Sequence, residues 1–406
     1  MYPDLAILAA FAFVYSVVAA RLEKTPLNGA ILFVAFGLAC GPIGLGIIDL
    51  DVDAEGLRTL AEFTLALVLF TDASNADLRV LRLSFRIPSR LLLIGLPLTI
   101  LLGFVFGVLV FDQLSLLEIA LLATILAPTD AALGKAVVTN AAVPARTREG
   151  LNVESGLNDG ICVPVLLVFL AFATGSAKEA QSTGLILGEF ASEIGIGAGV
   201  GIACTVFGSF LIRAARSRGW IGEIWMQVPI PAAAMMSFAT AQALGGSGFI
   251  ACFVGGLIGG ALMKEDKEEL LRAAEATGDT LALLTWVVFG VAVVSYSFEY
   301  FAWDALVYAI LSLTVIRMLP VYLVLTRMGL TVSDKLFIGW FGPRGLASIV
   351  FIVIVLNENL PGAETLTMTV VWTIILSVIA HGLSANPLAS LYAARQKDGD
   401  VTPPAK

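Results

Sequence analysis

The chain has 406 residues, of which 58% are hydrophobic and 14% are charged, and its mean hydropathy is +0.92. Soluble domains are about 45–50% apolar and about 25% charged, so this composition excludes an ordinary soluble protein. The formal net charge of −8 sums over two faces of a membrane, and nothing in the sequence supports nucleic-acid binding.

Apolar stretches of the length that crosses a bilayer core repeat from Leu5 almost to the C-terminus. They predict an all-α polytopic membrane protein with about 13 transmembrane helices. No cleavage signal follows the first stretch, so we expect it to be retained. The predicted helix centres are Phe13, Val34, Ala66, Ile100, Leu126, Val163, Gly201, Ala234, Gly256, Val287, Leu313, Val350 and Ile375.

The basic residues predict how these helices are oriented. Cytoplasmic loops collect Lys and Arg, and all but four of the 24 such residues lie in alternate loops. The exceptions are Arg58 and Lys178 in the opposite loops, and Arg317 and Arg344 inside predicted helices. We expect the N-terminus outside, the C-terminus in the cytoplasm, and the chain in the cell (inner) membrane.

Two predicted helices are interrupted near their middles. The fifth contains Ala-Pro-Thr-Asp at 127–130, where proline removes a backbone hydrogen bond, and the twelfth contains Gly-Pro-Arg-Gly at 342–345. Paired interruptions in two halves of a chain indicate a transporter's binding site. Their separation by seven helices, an odd number, predicts two inverted six-helix repeats with crossed discontinuous helices 5 and 12.

The sixth predicted helix carries the chemistry that faces these breaks. Its i,i+4 spacing places Glu154, Ser155, Asn158 and Asp159 on one face. Ionisable groups at membrane depth are costly and mark functional sites. This face must therefore look inward, toward the broken fifth helix.

Charge counting at this depth leaves one negative charge. Three acids, Asp130, Glu154 and Asp159, stand against two arginines, Arg317 and Arg344. An unpaired charge in a low-dielectric site is costly, so the loaded site should cross the membrane and the empty one should not. The count predicts obligatory 1:1 electroneutral exchange of one monovalent cation for one proton.

Together these motifs resemble those of the monovalent cation/proton antiporters, in the sodium/proton exchanger (NhaP-like) branch with an Asn-Asp motif. The similarity covers nearly the whole chain. One departure is Ala131, where the family often has proline. The matching residues are Thr129-Asp130 in helix 5, Glu154-Ser155 and Asn158-Asp159 in helix 6, Arg317 in helix 11, and Gly342 to Leu346 in helix 12.

The resemblance implies a secondary active antiporter, not an enzyme, that exchanges Na⁺ or Li⁺ for H⁺ by alternating access as a homodimer without a cofactor. Residues 1–406 would form one transmembrane unit. A mobile ion-carrying core would comprise 90–175 and 302–394, and a scaffold for dimerisation would comprise 1–89 and 225–298. Helix 7, at 188–215, would link them, and 395–406 would be a short cytoplasmic tail.

Within this family pattern, cation and proton are expected to compete for Asp159. Oxygens of Thr129 and Ser155 would complete a Na⁺ site, since hard cations prefer oxygen ligands. Asn158 would hold the unwound segment by hydrogen bonds to the backbone of residues 129 and 130.

The remaining charged residues of the candidate set have two interpretations. Glu154 is either a further ion ligand or the salt-bridge partner of Arg317. Asp130 and Arg344 sit at the two breaks, where half-helix ends carry partial charges. We favour charge-balancing caps for both over direct ion binding.

The sequence does not assign a role to three other polar residues. Glu62 has no explanation, and Asp72 is either solvated or lines an access funnel. For His381, packing is favoured over pH sensing. The four cysteines show no paired spacing and are expected to be packing residues.

Rival functions use the same residues differently. A K⁺/H⁺ antiporter on the same fold stays open because selectivity depends on cavity size, whereas an organic-anion carrier would need surplus positive charge. An intramembrane aspartyl protease would use Asp130 and Asp159, but the Tyr-Asp and Gly-x-Gly-Asp motifs are missing. A channel is a weaker alternative.

Overall fold

The regular structure is helical throughout the described residues, which confirms the all-α prediction. Ala131 and Lys178, named above, lie outside the described part, as do five of the basic residues counted there in alternate loops: Lys24, Arg79, Arg82, Lys264 and Lys406. The computed structural model describes residues 2–22, 25, 29–48, 54–75, 86–130, 133, 135–138, 140, 143–174, 183–263, 267–294 and 301–401.

We number the helices by the predicted span that each one matches. Helices 5 and 12 are each in two parts, as their sequences predict. The bounds are α1 Tyr2–Leu22, α2 Gly29–Cys40, α3 Ala54–Asn75, α4 Arg86–Val110, α5a Leu116–Ile125, α5b Lys135–Val138, α6 Ala145–Thr174, α7 Thr183–Ser217, α8 Pro229–Ala243, α9 Gly248–Leu262, α10 Lys267–Val288 with a π-helical continuation Phe289–Val294, α11 Trp303–Val324, α12a Val332–Trp340, α12b Leu346–Leu356 and α13 Ala363–Val401.

Many of these helices have the length and apolar composition needed to span a bilayer. Within the described ranges, seven helices are long and apolar enough to cross a bilayer, namely α1, α4, α6, α7, α10, α11 and α13, and α2, α5a, α9 and α12b are shorter apolar helices. The outer surface is apolar as well, with Phe13 and Leu109 more than two-thirds exposed. Such side chains are suited to contact with lipid tails. The 13-span count and the inverted repeat stay predictions.

A single buried carboxylate fixes the start of α5a. Ser115 caps this helix in a capping box, in which Glu118 Oε2 accepts the Ser115 N–H over 2.8 Å. The other oxygen, Glu118 Oε1, accepts the Gly362 N–H over 2.6 Å, immediately before α13. One side chain therefore satisfies orphan backbone groups at two helix N-termini.

Helices α3 and α9 pack backbone to backbone. A Cβ added at Gly256 would overlap the carbonyl oxygen of Phe70, and one added at Gly260 would overlap that of Ser74. Ser74 Oγ also donates to the Gly256 carbonyl over 3.1 Å. Small residues at this spacing let membrane helices approach closely.

This packing makes a stability prediction. We expect Gly256→Ala and Gly260→Ala each to lower the thermal stability of the protein in detergent, because α3 and α9 must separate to admit the methyl group. The control is Gly208→Ala in α7, where a new Cβ meets nothing within 4 Å. Thermal unfolding followed by size-exclusion chromatography measures the difference, and equal melting temperatures for all three variants would contradict it.

Candidate ion-binding site

The two helix breaks cross and satisfy each other's backbone groups. Helix α5a ends at Ile125, before Pro128, and the break in α12 spans residues 341–345. The Asp130 N–H donates to Pro343 O over 2.8 Å. Arg344 Nη1 donates to the carbonyl oxygens of Ala127 and Pro128 over 2.8 and 3.0 Å. The polar groups that each break releases therefore find partners on the other.

Asp130 lies at the start of α12b. Its Oδ2 accepts the Leu346 N–H over 2.9 Å, and its Oδ1 accepts the Leu133 N–H over 3.2 Å. A negative group at a helix N-terminus is favourable. Gly345 is needed here because a Cβ would overlap the Asp130 carboxylate. This arrangement is that of a cap, the interpretation favoured from the sequence.

The polar face of α6 is buried against this crossing. Glu154, Ser155, Asn158 and Asp159 are each at most 8% exposed. The hydroxyls of Thr129 and Ser155 lie 2.9 Å apart, and Asn158 Nδ2 donates to Thr129 Oγ1 over 2.8 Å. The face looks inward, as its spacing requires.

The partner of Asn158 differs from the expectation. It bonds the Thr129 side chain, whereas the sequence predicted bonds to the backbone of residues 129 and 130. The physical reason is that the second broken helix already occupies neighbouring backbone groups, since Pro343 accepts the Asp130 N–H and Arg344 binds the two preceding carbonyls.

Two buried oxygens on α6 lack hydrogen-bond donors. Within the described part of the chain, Asn158 Oδ1 and Asp159 Oδ1 have no hydrogen-bond partner. Buried polar atoms in proteins are nearly always satisfied, and an unsatisfied carboxylate oxygen is costly. Ser155 stands one turn before Asp159 on α6 and its hydroxyl lies against that of Thr129. These oxygens have the chemistry to bind a small hard cation, and the Asp159 carboxylate can also accept a proton.

Glu154 and Arg317 form a two-pronged ion pair between α6 and α11. Arg317 Nη1 and Nη2 donate to Glu154 Oε1 and Oε2 over 2.6 and 2.8 Å, and both side chains are buried. Gly342 allows this contact, because a Cβ there would overlap the Arg317 guanidinium. Both oxygens of Glu154 are engaged.

The two open acids on α3 have different surroundings. Glu62 pairs with Arg58 one turn earlier, with Oε1 2.7 Å from Nε at a partly exposed position. Asp72 is partly exposed, and its Cβ lies 3.6 Å from where a Cβ on Gly156 would stand. Asp72 therefore lies beside α6, one turn from Asp159, rather than at an isolated helix end.

Sequence reasoning missed two serines at the crossing. Ser348 Oγ donates to Ile125 O over 2.8 Å, and Ser377 Oγ accepts the Arg344 N–H over 2.7 Å. Ser377 bonds His381 one turn along α13, so His381 does more than fill space. The i,i+4 spacing of Ser377 and His381 in an apolar helix was the available signal.

An apolar seam separates α6 from α9 beside the site. Val153 and Leu157 of α6 and Leu92 of α4 are buried in one cluster with Phe253 and Leu257 packed against it. Gly160 faces the Phe253 ring so closely that a Cβ would overlap it. Helix α9 contributes side chains to this seam, whereas α6 contributes both side chains and the backbone of Gly160.

The fold and the site define a class, namely a multi-pass membrane protein whose two broken helices cross beside a buried carboxylate, Asp159, one oxygen of which has no hydrogen-bond partner among the described residues. The family described as sodium/hydrogen exchanger, transmembrane, matches residues 7–391. The chain belongs to this family. The family consists of secondary transporters, not enzymes.

Relatives and solved structures agree with that assignment. The K⁺/H⁺ antiporter NhaP2 of Shewanella sp. strain MR-4 is 24% identical over 387 residues, covering 95% of this chain and 66% of the relative. The K⁺/H⁺ antiporter NhaP of Alkalimonas amylolytica is 23% identical over 399 residues, or 97% of this chain and 68% of the relative. The chain thus spans about two thirds of the length of these curated relatives.

The structural comparison shows the fold. The sodium proton antiporter MjNhaP1 from Methanocaldococcus jannaschii superposes with a TM-score of 0.78 at 21% identity, covering 96% of this chain and 98% of that chain. The NhaP fold predicted from the motifs is confirmed.

The ion pair in the site yields a second prediction. Arg317→Gln leaves the Glu154 carboxylate buried without its partner, so we expect a loss of about 3–5 kcal/mol of stability. The double variant Glu154→Gln/Arg317→Gln should recover much of it, because no unpaired charge remains. Thermal unfolding of single and double variants measures the coupling.

The control is the same chemistry at a partly exposed site. Arg58→Gln breaks the Arg58–Glu62 pair, where solvent screens the charges, and should cost at most about 1 kcal/mol. If the Arg317 and Arg58 variants lose equal stability, burial of the first pair does not determine its energy.

Proposed function

We propose that this protein is a secondary antiporter that exchanges Na⁺, and also Li⁺, for H⁺ at Asp159 by alternating access. The observation that carries the proposal is the pair of buried, unpartnered oxygens on Asn158 and Asp159 beside two hydroxyls. A cation or a proton would satisfy the Asp159 oxygen, but the two would compete for it. The transported ions are substrates, so no cofactor enters.

The roles of the neighbouring residues follow from their contacts. Asp159, Ser155 and Thr129 are assigned as the Na⁺ ligands. Asn158 holds Thr129 in place and, through Oδ1, adds an oxygen to the same site. These groups supply the oxygen donors that hard cations prefer.

The other charges of the site are assigned to structure. Glu154 is a salt-bridge partner because Arg317 occupies both of its oxygens. Asp130 and Arg344 cap and cross-link the two breaks. With Glu154 neutralised by Arg317 and Asp130 opposed by Arg344, Asp159 is the one of the three acids counted from the sequence that stays unbalanced, which supports 1:1 electroneutral exchange.

A K⁺/H⁺ antiporter is the second candidate. It is favoured by the names of the relatives from Shewanella and Alkalimonas, which are K⁺/H⁺ antiporters, whereas the structural neighbour MjNhaP1 is named as a sodium proton antiporter. The ligand types of the site suit both ions. A protease is disfavoured because backbone N–H groups occupy both oxygens of Asp130.

The assembly proposed with this function is a homodimer in the cell membrane, with the N-terminus outside. Residues 90–175 and 302–394 would move as the ion-carrying core against a scaffold of 1–89 and 225–298, linked by helix 7 at 188–215. The two crossed breaks and the polar face of α6 fall within the core, and the α3–α9 packing falls within the scaffold.

Transport in proteoliposomes tests the function. Under an imposed pH gradient, Na⁺, Li⁺ and K⁺ are added in turn, and proton movement is followed with an internal pH dye. We expect Na⁺ and Li⁺ to drive proton movement in the wild type and Asp159→Asn to abolish it, because the amide cannot hold the proton. The control is Asp112→Asn, an exposed carboxylate between α4 and α5a.

Two outcomes contradict the proposal in different ways. Cation-driven proton movement that survives Asp159→Asn removes that residue from its role, and a response to K⁺ alone makes the second candidate correct. Stoichiometry is checked by clamping the membrane potential with K⁺ and valinomycin while Na⁺ drives transport. An electroneutral exchanger keeps the same rate at every clamped potential, so a potential-dependent rate excludes 1:1 exchange.

A further inference from the structure

A hydrogen-bond chain on α13 holds both edges of the break in α12. The Arg344 N–H, inside the break, donates to Ser377 Oγ over 2.7 Å. His381, one turn further along α13, has Nδ1 3.1 Å from Ser377 Oγ and Nε2 2.8 Å from Trp340 O. Trp340 is the last residue of α12a. The chain therefore runs from the end of α12a to the residue just before α12b.

Each ring nitrogen of His381 faces a backbone carbonyl. Nε2 lies 2.8 Å from Trp340 O and Nδ1 lies 2.9 Å from Ser377 O, and a carbonyl oxygen only accepts. Ser377 Oγ, which accepts the Arg344 N–H, also lies 3.1 Å from Nδ1. The imidazole therefore joins the end of α12a to the turn of α13 that carries Ser377.

Because these groups are buried, losing any of these hydrogen bonds is costly. Arg344 and Ser377 are fully buried and His381 is 1% exposed. A buried donor or acceptor that loses its partner keeps the full cost of leaving water. The position of the Arg344 backbone is thus tied to the Ser377 hydroxyl and, through it, to the imidazole.

Arg344 connects the break in α12 to the candidate ion site through hydrogen bonds. Its guanidinium binds the carbonyls of Ala127 and Pro128, directly before Thr129. Thr129 in turn bonds Ser155 and Asn158 on α6. Two hydrogen-bonded links therefore separate Ser377 from a proposed cation ligand.

We propose that Ser377 and His381 are positioning residues of the cation site. By fixing the break in α12 they set the place of Arg344, and through it the place of the Thr129 oxygen around the ion. The proposal rests on the proposed function. Neither residue contacts the ion, so their effect is on the geometry of the ligands.

Three variants and one matched control test this. Ser377→Ala removes the acceptor for Arg344, and His381→Leu removes both ring nitrogens. His381→Gln keeps an amide donor that reaches toward Trp340 O. The control is Thr373→Val on the same helix, a fully buried hydroxyl that donates only within α13, to Thr369 O over 2.7 Å.

The readout is the apparent KM for Na⁺ and for Li⁺ in proteoliposomes, with Vmax scaled to folded protein. We expect Ser377→Ala and His381→Leu to raise the apparent KM for Na⁺ roughly tenfold, because removing a residue that hydrogen-bonds an ion ligand typically weakens ion binding by about that factor. Both variants should also change the ratio of the KM for Na⁺ to the KM for Li⁺. His381→Gln should lie closer to the wild type, and Thr373→Val should match it.

A second measurement is independent of turnover. Na⁺ binding to the native state stabilises it, so the Na⁺ concentration giving half of the thermal shift in detergent should rise in Ser377→Ala and stay unchanged in Thr373→Val. The positioning role is overturned if Ser377→Ala and His381→Leu keep the wild-type KM and the wild-type half-shift concentration and lose only yield of folded protein. Wild-type protein without cation-driven proton movement overturns the proposed function and this inference together.

Discussion

The pairing of two broken helices is the constraint on which the site depends. In a bilayer, backbone groups released by a break have no water to bind, so they must be satisfied inside the protein. Here each break supplies what the other lacks: Pro343 offers a carbonyl to the Asp130 N–H, and Arg344 offers a guanidinium to two carbonyls of α5. Neither break is stable in this form alone, and their crossing brings Thr129 to the polar face of α6.

The buried charges, like the backbone groups, depend on having bonding partners. Burying an ion is tolerable when the partner geometry is good and the remaining donors and acceptors are satisfied. Glu154 meets this condition through two hydrogen bonds to Arg317, and Asp130 meets it through two backbone N–H groups. Asp159 Oδ1 has no such partner among the described residues. What sets Asp159 apart is therefore its unmet bonding capacity, since the other acids are also buried or partly buried.

Local pattern was sufficient to predict the helices, the two breaks and the inward face of α6. Proline at 128 and the Gly-Pro pair at 342–343 act on their own backbone, and the i,i+4 spacing of the acids fixes their common face. The Arg58–Glu62 pair was equally local and was overlooked. Because a bilayer penalises every unpartnered polar group, such local signals carry more structural information here than in a soluble chain.

Apart from the Glu154–Arg317 pair, partner atoms across helices were not predictable. That Asn158 bonds the Thr129 side chain, that the helix capped by Asp130 is α12b, and that His381 reaches Trp340 all depend on how two distant segments cross. Sequence spacing carries no information about that crossing angle. The identity of the cation was not predictable for a related reason. Na⁺ and K⁺ bind the same types of ligand, and the sites that select them differ in cavity size, which the sequence does not give.

The glycine contacts between α3 and α9 have a mechanical consequence. Where two backbones interlock, with Gly256 against Phe70 and Gly260 against Ser74, no cushion of side chains can deform, so the pair resists shear. The seam between α6 and α9 is different, because Val153 and Leu157 lie in one apolar cluster with Phe253, whose ring also covers Gly160. Helix α9 thus meets α3 through close backbone contacts and faces α6 with apolar side chains.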